Sequence, residues 1–309
     1  MADSPHSNGF LVRCVGRRRI RDGSLSTSVT VVKALLTPWL VVDLLRARKA
    51  RESWAECLFQ LYSMGSPPPS LPSLVSANPG CCRFVCISDT HQCHDRLPPL
   101  PAGDVLVHCG DFTNFGSRDE VRKFALWMAS QPHGLKLVVP GNHDMILDES
   151  YYDAYWGDWS AQQESHSEAV AEFTSRGIQL LVDKSIEVHG LHVYGSPWVT
   201  RYASWKTAFN KESEAMGEHW QSVPDGVDVL LTHMPPLGVG DRDQDGRRTG
   251  CPHLAQRVKE IGPRLHVFGH IHTDYGAVTA EGTTYVNPAS VSDGYRVGGR
   301  SAIVVDVLR

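Results

Sequence analysis

The 309-residue sequence lacks the cysteine patterns of a disulfide-bonded protein or of a cysteine-ligated zinc site. Its eight cysteines show no paired metal-binding spacing and no regular framework, and no Asn-x-Ser/Thr glycosylation acceptor occurs. Cys86 and Cys109 fall inside apolar, strand-like runs. Free, buried thiols in a reducing compartment are the preferred interpretation, which favours a cytoplasmic protein.

A long hydrophobic run and an excess of positive charge are also missing. The apolar stretch at residues 29–45 is interrupted by Lys33, Pro38 and Asp43, and it is too short for a membrane span. The net charge is only −4, so the overall composition does not point to nucleic acid as a partner. The hydrophobic content of 41% is enough for a sizeable core.

The charges are distributed unevenly along the chain. Residues 1–79 carry ten Lys and Arg against five Asp and Glu, whereas the remainder carries 20 basic and 29 acidic residues. We predict a basic N-terminal extension at residues 1–65, partly helical or disordered, a Pro- and Ser-rich linker at residues 66–80, and a domain at residues 81–309. The arginine-rich start also resembles a transit peptide, so organelle targeting is an alternative to the cytoplasm.

Strand-like and helix-like patterns alternate after the linker, which predicts an α/β domain. Ser117 and Glu120 form a capping box that begins one helix, and two more helices are expected near residues 165–176 and 253–261. Strands are expected at residues 83–88, 104–109, 136–139, 186–194 as a hairpin, 228–232, 265–268, 277–279, 284–287 and 302–307.

Side chains that can bind metal follow five of these strands directly. The segments are Asp-Thr-His at residues 89–91, Gly-Asp at 110–111, Gly-Asn-His-Asp at 141–144, His at 233 and Gly-His-Ile-His at 269–272. Because strand ends deliver their loops to one edge of an α/β sheet, these residues are expected to form one site. Each segment alone is weak evidence for a metal site, whereas the ordered set of five segments is strong evidence for one.

The donor set suits a pair of metal ions. Hydrolysis of a phosphate ester needs a nucleophile at neutral pH, neutralised phosphoryl oxygens and a stabilised leaving oxygen, and two cations about 3.5–4 Å apart can provide all three. We expect Asp111 to bridge the ions, because a carboxylate has two oxygens. Asp89, His91 and His272 would complete the shell of one ion, and Asn142, His233 and His270 the shell of the other.

The order Asp-x-His, Gly-Asp, Gly-Asn-His-Asp, His and Gly-His-x-His resembles the calcineurin-like metallophosphoesterase superfamily, over about 230 residues. Within it, the segments RFVCISDTH, VYGSPW, GVDVLLTHMPPLG and RLHVFGHIH are most similar to the class III metallophosphoesterase-domain-containing proteins. The resemblance implies a metallophosphoesterase domain of two packed mixed β-sheets flanked by helices, with the ligand set given above. It also implies that His143 donates a proton to the leaving oxygen or stabilises it, and that Asp144 orients His143.

The activity implied by the resemblance is that of a metal-dependent phosphodiesterase, with in-line attack by a hydroxide that bridges two metal ions. Cyclic nucleotides and small aryl phosphodiesters are the suggested substrates. A site with four histidines and no cysteine favours Mn²⁺, Fe, Zn²⁺ or Co²⁺ over Mg²⁺ and Ca²⁺, and Mn²⁺ is the ion most often used with this family. The alternatives are a phosphomonoesterase or protein phosphatase on the same core, and a catalytically weak nucleotide-binding scaffold. A nuclease is disfavoured by the acidic body.

For a few further residues, the sequence leaves both a functional and a purely structural interpretation open. Asp241, Asp243 and Asp245 resemble the start of a calcium-binding loop but lack the closing glutamate, so a solvated loop is expected. The remaining candidates for contact with the substrate are Arg247, Arg248, Trp198, Trp205 and Asn287, each of which could instead be a surface or core residue.

Overall fold

The computed structural model describes residues 13–19, 25–31, 80–201 and 207–309. The chain divides into two compact units, residues 1–64 and residues 65–309. In the first unit, strands β1 (Arg13–Arg19) and β2 (Leu25–Val31) pair antiparallel, with Arg13 opposite Val31. The described residues do not include the helical segments expected in the extension, and they include almost none of the linker expected at residues 66–80. The predicted boundaries of the extension and the linker therefore stay predictions.

The second unit contains thirteen described strands and five described α-helices. The strands are β3 (Cys81–Ile87), β4 (Val105–Cys109), β5 (Leu135–Val139), β6 (Gln179–Leu180), β7 (Lys184–Val188), β8 (Leu191–Ser196), β9 (Val199–Thr200), β10 (Asn210–Lys211), β11 (Val229–Thr232), β12 (Leu265–Val267), β13 (Gly276–Ala280), β14 (Thr283–Asn287) and β15 (Ile303–Leu308). The helices are α1 (Arg118–Ser130), α2 (Glu149–Tyr155), α3 (His166–Thr174), α4 (Ser213–Gln221) and α5 (Pro252–Ile261).

Two mixed sheets form the centre of this unit. The first has five strands in the order β15-β3-β4-β5-β6, in which β15 is antiparallel to β3 and the other neighbours are parallel. The second has six strands in the order β13-β14-β12-β11-β8-β7, with antiparallel pairs at both edges and parallel pairs between. A parallel pair, β9 with β10, stands apart from both sheets.

Three apolar clusters hold the layers together. Side chains of both sheets interdigitate in one cluster, where Phe84 and Val107 of the first sheet pack with Val229 and Val267 of the second. On the outer face of the first sheet, residues such as Leu106 pack against α1 and α3. On the outer face of the second sheet, α4 and α5 form the third cluster. The predicted fold of two packed mixed β-sheets flanked by helices is therefore confirmed.

The start of α1 is as the sequence predicts. The Ser117 side chain accepts a hydrogen bond from the backbone N–H of Glu120, and the Glu120 carboxylate accepts one from the backbone N–H of Ser117. The apolar face of α1, which includes Phe124 and Met128, is fully buried. The sequence pattern missed α2 and α4, since seven residues are too few to show helical periodicity and α4 buries only Met216 and Trp220.

The topology places the ends of the parallel strands at one edge of the sandwich. Strands β3, β4 and β5 of the first sheet and β11 and β12 of the second all run into loops there. A hydrogen bond from the Gly269 N–H to the His233 carbonyl oxygen, 3.0 Å, joins the two loops of the second sheet. In the described part of the chain, no helix combines the length and the apolar character that crossing a bilayer requires.

Candidate metal centre

The five loops bring the predicted metal ligands together in two groups of side chains. Ligand atoms of Asp89, His91 and His272 lie within 4.8 Å of one another, and so do those of Asp111, His233 and His270. The first group holds the three residues predicted for one ion, and the second holds His233 and His270, predicted for the other ion, together with Asp111, the predicted bridge. All six residues are buried or half-buried.

The Asp111 carboxylate stands between the two groups. Its Oδ2 lies 3.7 Å from His91 Nε2 in the first group and 3.4 Å from His233 Nε2 in the second. In the first group, Asp89 Oδ1 lies 3.4 Å from His272 Nε2. Asn142 joins the second group, since its Oδ1 is 3.1 Å from His233 Nε2. The Asp111 carboxylate would therefore be within reach of an ion held by either group, as the prediction of a bridging ligand requires.

Hydrogen bonds from the backbone orient these ligands. The Nδ1 atom of His233 is 2.8 Å from the Cys109 carbonyl oxygen, which can only accept, so Nδ1 carries the proton and Nε2 faces Asp111. The backbone N–H of His143 donates to Asp111 Oδ1 at 2.8 Å, and that of His270 donates to Asp89 Oδ1 at 2.9 Å. Each carboxylate is thereby fixed before any metal binds.

The backbone at the site is bent into an uncommon conformation. Asp89, His91, Asp111 and His270 all have positive φ angles, of 49°, 40°, 58° and 68°. This left-handed conformation is unfavourable for residues with a Cβ, and it persists in proteins where the surroundings over-determine it. Here it turns the chain sharply at each strand end, so that the ligand side chains converge.

Two motif glycines leave space for the ligands. A Cβ on Gly269 would collide with Ser88 Oγ and Asp89 Oδ2, and a Cβ on Gly141 would collide with Asp111 Oδ1 and His233 Cε1. Neither collision involves the far end of a long, flexible side chain, so neither could be relieved by a side-chain movement. The glycines in Gly-Asn-His-Asp and Gly-His-Ile-His are therefore required by close packing against the carboxylates.

Several buried polar atoms at the site have no hydrogen-bond partner among the residues that the structure describes. They are Asp89 Oδ2 and both ring nitrogens of His91. Buried carboxylate oxygens and imidazole nitrogens are rarely left unsatisfied in native proteins. Oxygen and imidazole donors in this combination suit borderline divalent ions, so the residues present fit the implied pair of metal ions.

The electrostatics of the site also favour a bound cation. Burial works to raise the pKa of Asp89, but hydrogen bonding to His272 and the charge of that histidine lower it to about 2. Burial works to lower the pKa of His233, but the Asp111 carboxylate outweighs it and raises the pKa to about 9. The two buried carboxylates thus create a negative potential that stabilises positive charge among the histidines.

The role predicted for Asp144 needs a correction. The His143 ring donates from Nδ1 to the Asn114 carbonyl oxygen at 2.9 Å, which leaves Nε2 available to the cleft. The Asp144 carboxylate instead accepts from the backbone N–H groups of Asp111, Thr113 and Gly141 and from the Thr113 hydroxyl. Asp144 thus holds two metal-site loops together, while a backbone carbonyl orients His143.

A cleft of about 230 Å³ opens over the two groups of ligands. The sequence analysis did not predict six of the residues that line this cleft: Asp293 and Tyr295, and Val199, Thr200, Thr207 and Asn210. These residues lie in loops or in two-residue strands, whose sequences show no hydrophobic periodicity. For the loop at residues 288–302, the sequence shows only that it lies between two predicted strands, and the structure places those strands in different sheets.

The other candidate residues have mixed outcomes. Asp241 is fully buried rather than solvated, and it pairs with Arg248. Trp198 donates to Asp183 at 2.7 Å and packs on Phe209, which supports a core role.

Arg247 is exposed and pairs with Asp245 at 3.1 Å. The Asn287 amide donates to the carbonyl oxygens of Gly240 and Ile271, so it braces the loop that carries His272. Trp205 lies outside the described residues.

Comparisons with known proteins agree with this geometry. Residues 82–274 match the family described as calcineurin-like phosphoesterase. The chain is 40% identical to metallophosphoesterase domain-containing protein 1 of Homo sapiens over 228 residues, which cover 71% of this chain and 69% of that protein. It is 38% identical to a UPF0046 protein of Caenorhabditis elegans over 223 residues, 67% of this chain and 74% of the relative.

A solved crystal structure with 18% identity superposes with a TM-score of 0.52 over 68% of this chain and 91% of its own, which shows the shared fold. The matched region contains the six residues of the two groups together with Asn142 and His143. The chain belongs to the calcineurin-like phosphoesterase family, and it is a metallophosphoesterase with a binuclear site for divalent metal ions.

Proposed function

We propose that this metallophosphoesterase hydrolyses small phosphodiesters, cyclic nucleotides among them, with Mn²⁺ as the preferred ion. Family membership supports hydrolysis of phosphoesters, and the donor set supports a borderline divalent ion. The six described cysteines are all free and buried, which supports a reducing compartment such as the cytoplasm.

The preference for diesters rests on the charge of the cleft walls. Among the described residues that line the cleft, none is Lys or Arg, and Asp293 adds a carboxylate at the rim. A phosphomonoester carries nearly two negative charges at neutral pH, whereas a diester carries one. Without a basic side chain to neutralise the additional charge, the walls favour the monoanionic diester.

Neutral donors and the metal centre complete the requirements of the reaction. When bound, two divalent ions act as Lewis acids at the phosphoryl oxygens and lower the pKa of water enough to make it nucleophilic at neutral pH. Thr200 lines the cleft, and in the described part of the chain its hydroxyl has no hydrogen-bond partner, so it would be free to donate to a phosphoryl oxygen once a substrate reaches it. With Nδ1 bonded to the Asn114 carbonyl oxygen, His143 Nε2 faces the cleft, and in the imidazolium form of the ring it would donate a proton to the leaving oxygen.

A panel of substrates with one leaving group tests the proposal. The purified chain, loaded in turn with Mn²⁺, Fe²⁺, Zn²⁺, Co²⁺ or Mg²⁺, is assayed with bis(4-nitrophenyl) phosphate and with 4-nitrophenyl phosphate, and 2′,3′- and 3′,5′-cyclic AMP are tested separately. We expect a higher kcat/KM for the diester than for the monoester, with the highest turnover in Mn²⁺. A higher kcat/KM for the monoester would contradict the preference, and it would favour a phosphomonoesterase.

A further inference from the structure

Tyr295 stands beside the metal ligands although no motif includes it. Its ring contacts His91 edge to face, with ring centroids 4.6 Å apart, and His272 in the same manner at 5.8 Å. It lines the cleft and is 47% exposed, which is unusual for so large a side chain next to a buried centre. Apart from histidine rings, it is the sole aromatic side chain among the described residues that line the cleft.

The backbone at Tyr295 is held in a strained conformation. Its φ angle is +54°, in the left-handed region that an aromatic residue rarely adopts. A turn fixes this angle, since the Tyr295 N–H donates to the Ser292 carbonyl oxygen at 2.7 Å and Val291 bridges to Val297. Glycine would satisfy the turn without strain, so a tyrosine here costs backbone strain that its side chain must offset.

The loop that carries Tyr295 is anchored to the metal centre. The backbone N–H of Ser290 donates at 2.8 Å to the carbonyl oxygen of Ser88, the neighbour of the ligand Asp89. From the other side, the Arg300 guanidinium donates to the carbonyl oxygens of Ala289 and Val291. The tyrosine ring is thereby fixed relative to the place where phosphorus must bind.

The position of the ring relative to His143 decides which part of a substrate it meets. The His91 ring contacts both Tyr295 and His143, the latter at 5.0 Å, whereas Tyr295 and His143 make no ring contact with each other in the described part of the chain. In the proposed reaction, the leaving oxygen lies on the side of the cleft that carries His143. The group beside Tyr295 is therefore the ester group that stays on phosphorus.

We infer that Tyr295 is a specificity-determining residue whose ring packs against the retained ester group of a phosphodiester, with preference for an aromatic group such as an aryl ring or nucleobase. The inference rests on the proposed phosphodiesterase function and deepens it. A monoester has no group to place against the ring, and an alkyl ester covers little of it. Stacking of an aromatic group on a protein ring is a sequence-tolerant source of affinity.

Three substrates that share the 4-nitrophenolate leaving group test the inference. They are bis(4-nitrophenyl) phosphate, 4-nitrophenyl methyl phosphate and 4-nitrophenyl phosphate, whose retained substituents are aryl, methyl and none. We expect Tyr295→Ala to lower kcat/KM for the bis-aryl ester about tenfold, the loss of one stacking contact. The other two values should change less than about threefold, and Tyr295→Phe should resemble the wild type because it keeps the ring.

Control measurements separate this role from structural support of His91 and His272. The affinity for Mn²⁺, measured by calorimetry without substrate, should stay within about twofold in Tyr295→Ala, far from the 10- to 100-fold loss typical of a disturbed outer shell. Tyr295→Gly serves as a second variant that relieves the backbone strain, and it should fold and show the same selective loss.

Two outcomes would overturn the inference: an equal loss on all three substrates, or no loss on the bis-aryl ester. If the wild-type chain hydrolyses none of the three substrates with any metal, the proposed function itself fails, which is a distinguishable result.

Discussion

At the scale of single residues, the order of the candidate ligands along the chain was sufficient to predict that they lie close together. Each candidate follows a strand within five residues, and these strands end at one edge, so order in the sequence becomes proximity in space. The role of Asp144 could not be predicted in this way. Whether a carboxylate faces a neighbouring ring or three backbone N–H groups depends on the path of loops 110–114 and 141–144, which no periodicity specifies.

His143 gives the first prediction at this scale. His143→Gln removes the proposed proton donor. The His143 ring contacts the ring of His91 edge to face, but His143 is not itself among the predicted metal ligands, so we expect binding of two Mn²⁺ ions to persist. For a cyclic nucleotide, whose alkoxide leaving group needs a proton, kcat should fall by about 10²–10⁴. For bis(4-nitrophenyl) phosphate, whose leaving group is stable as an anion, the loss should be about tenfold or less. Equal losses on the two substrates, measured at saturation, would argue against proton donation.

At the scale of structural elements, the N-terminus of α1 supports the active site. The Glu120 carboxylate accepts from the backbone N–H groups of Asn114, Phe115 and Ser117. The Asn114 carbonyl oxygen in turn accepts from the His143 ring. The sequence predicted the capping box from its spacing, but the contacts with residues 114 and 115 depend on a loop that reaches back over the helix.

Glu120 therefore links a helix cap to catalysis. Glu120→Ala leaves three N–H groups without their acceptor and should reduce the free energy of unfolding by about 1–3 kcal/mol. Because the Asn114 carbonyl then loses its fixed position, we expect kcat for a cyclic nucleotide to fall about tenfold with little change in Mn²⁺ affinity.

Asp119→Ala is the matched control, since Asp119 lies in the same turn and pairs only with exposed Lys123 and Arg122 in the described part of the chain. An Asp119→Ala variant with the same kinetic defect would exclude a specific role for Glu120.

At the scale of the whole molecule, the sandwich buries polar groups as well as apolar ones. Strand positions and the capping box were predictable from alternation and from local side-chain chemistry. The order of the strands in the two sheets was not, since β15 crosses back to pair with β3 over more than 200 residues.

Two histidines outside the metal centre, His108 and His266, are fully buried between strands and helices and bond to Thr90 and Thr232.

These buried histidines predict a loss of stability in acid. Burial lowers the pKa of His108 and of His266 to about 3, from an ordinary value near 6.5. The folded state keeps both rings neutral, so as the pH falls below about 6.5 only the unfolded state takes up these protons. Their contribution to stability is therefore present above about pH 6.5 and is lost progressively as the pH falls from there towards 3.

Urea denaturation of the metal-free chain at pH 7.5 and 5.5 measures this effect. At pH 5.5 each histidine should contribute roughly 1 kcal/mol to the decrease in the free energy of unfolding. The His108→Gln/His266→Gln double variant, which removes both titrating groups, should show a smaller decrease by about that amount for each residue. The same decrease in the variant and the wild type would mean that other groups cause the acid sensitivity.

The central claim is that Asp111 joins two groups of ligands into one binuclear hydrolytic site. The most direct test is to titrate the metal-free protein with Mn²⁺ and to measure the bound metal and the hydrolysis of bis(4-nitrophenyl) phosphate together. The titration is repeated with Asp111→Asn and, as a control, with Asp153→Asn, which changes an exposed carboxylate. We predict two ions per wild-type or control chain, activity that requires both, and activity lower by more than about a hundredfold in Asp111→Asn, which exceeds the loss expected for an outer-shell partner. Two ions per chain and unchanged hydrolysis in Asp111→Asn would contradict the account.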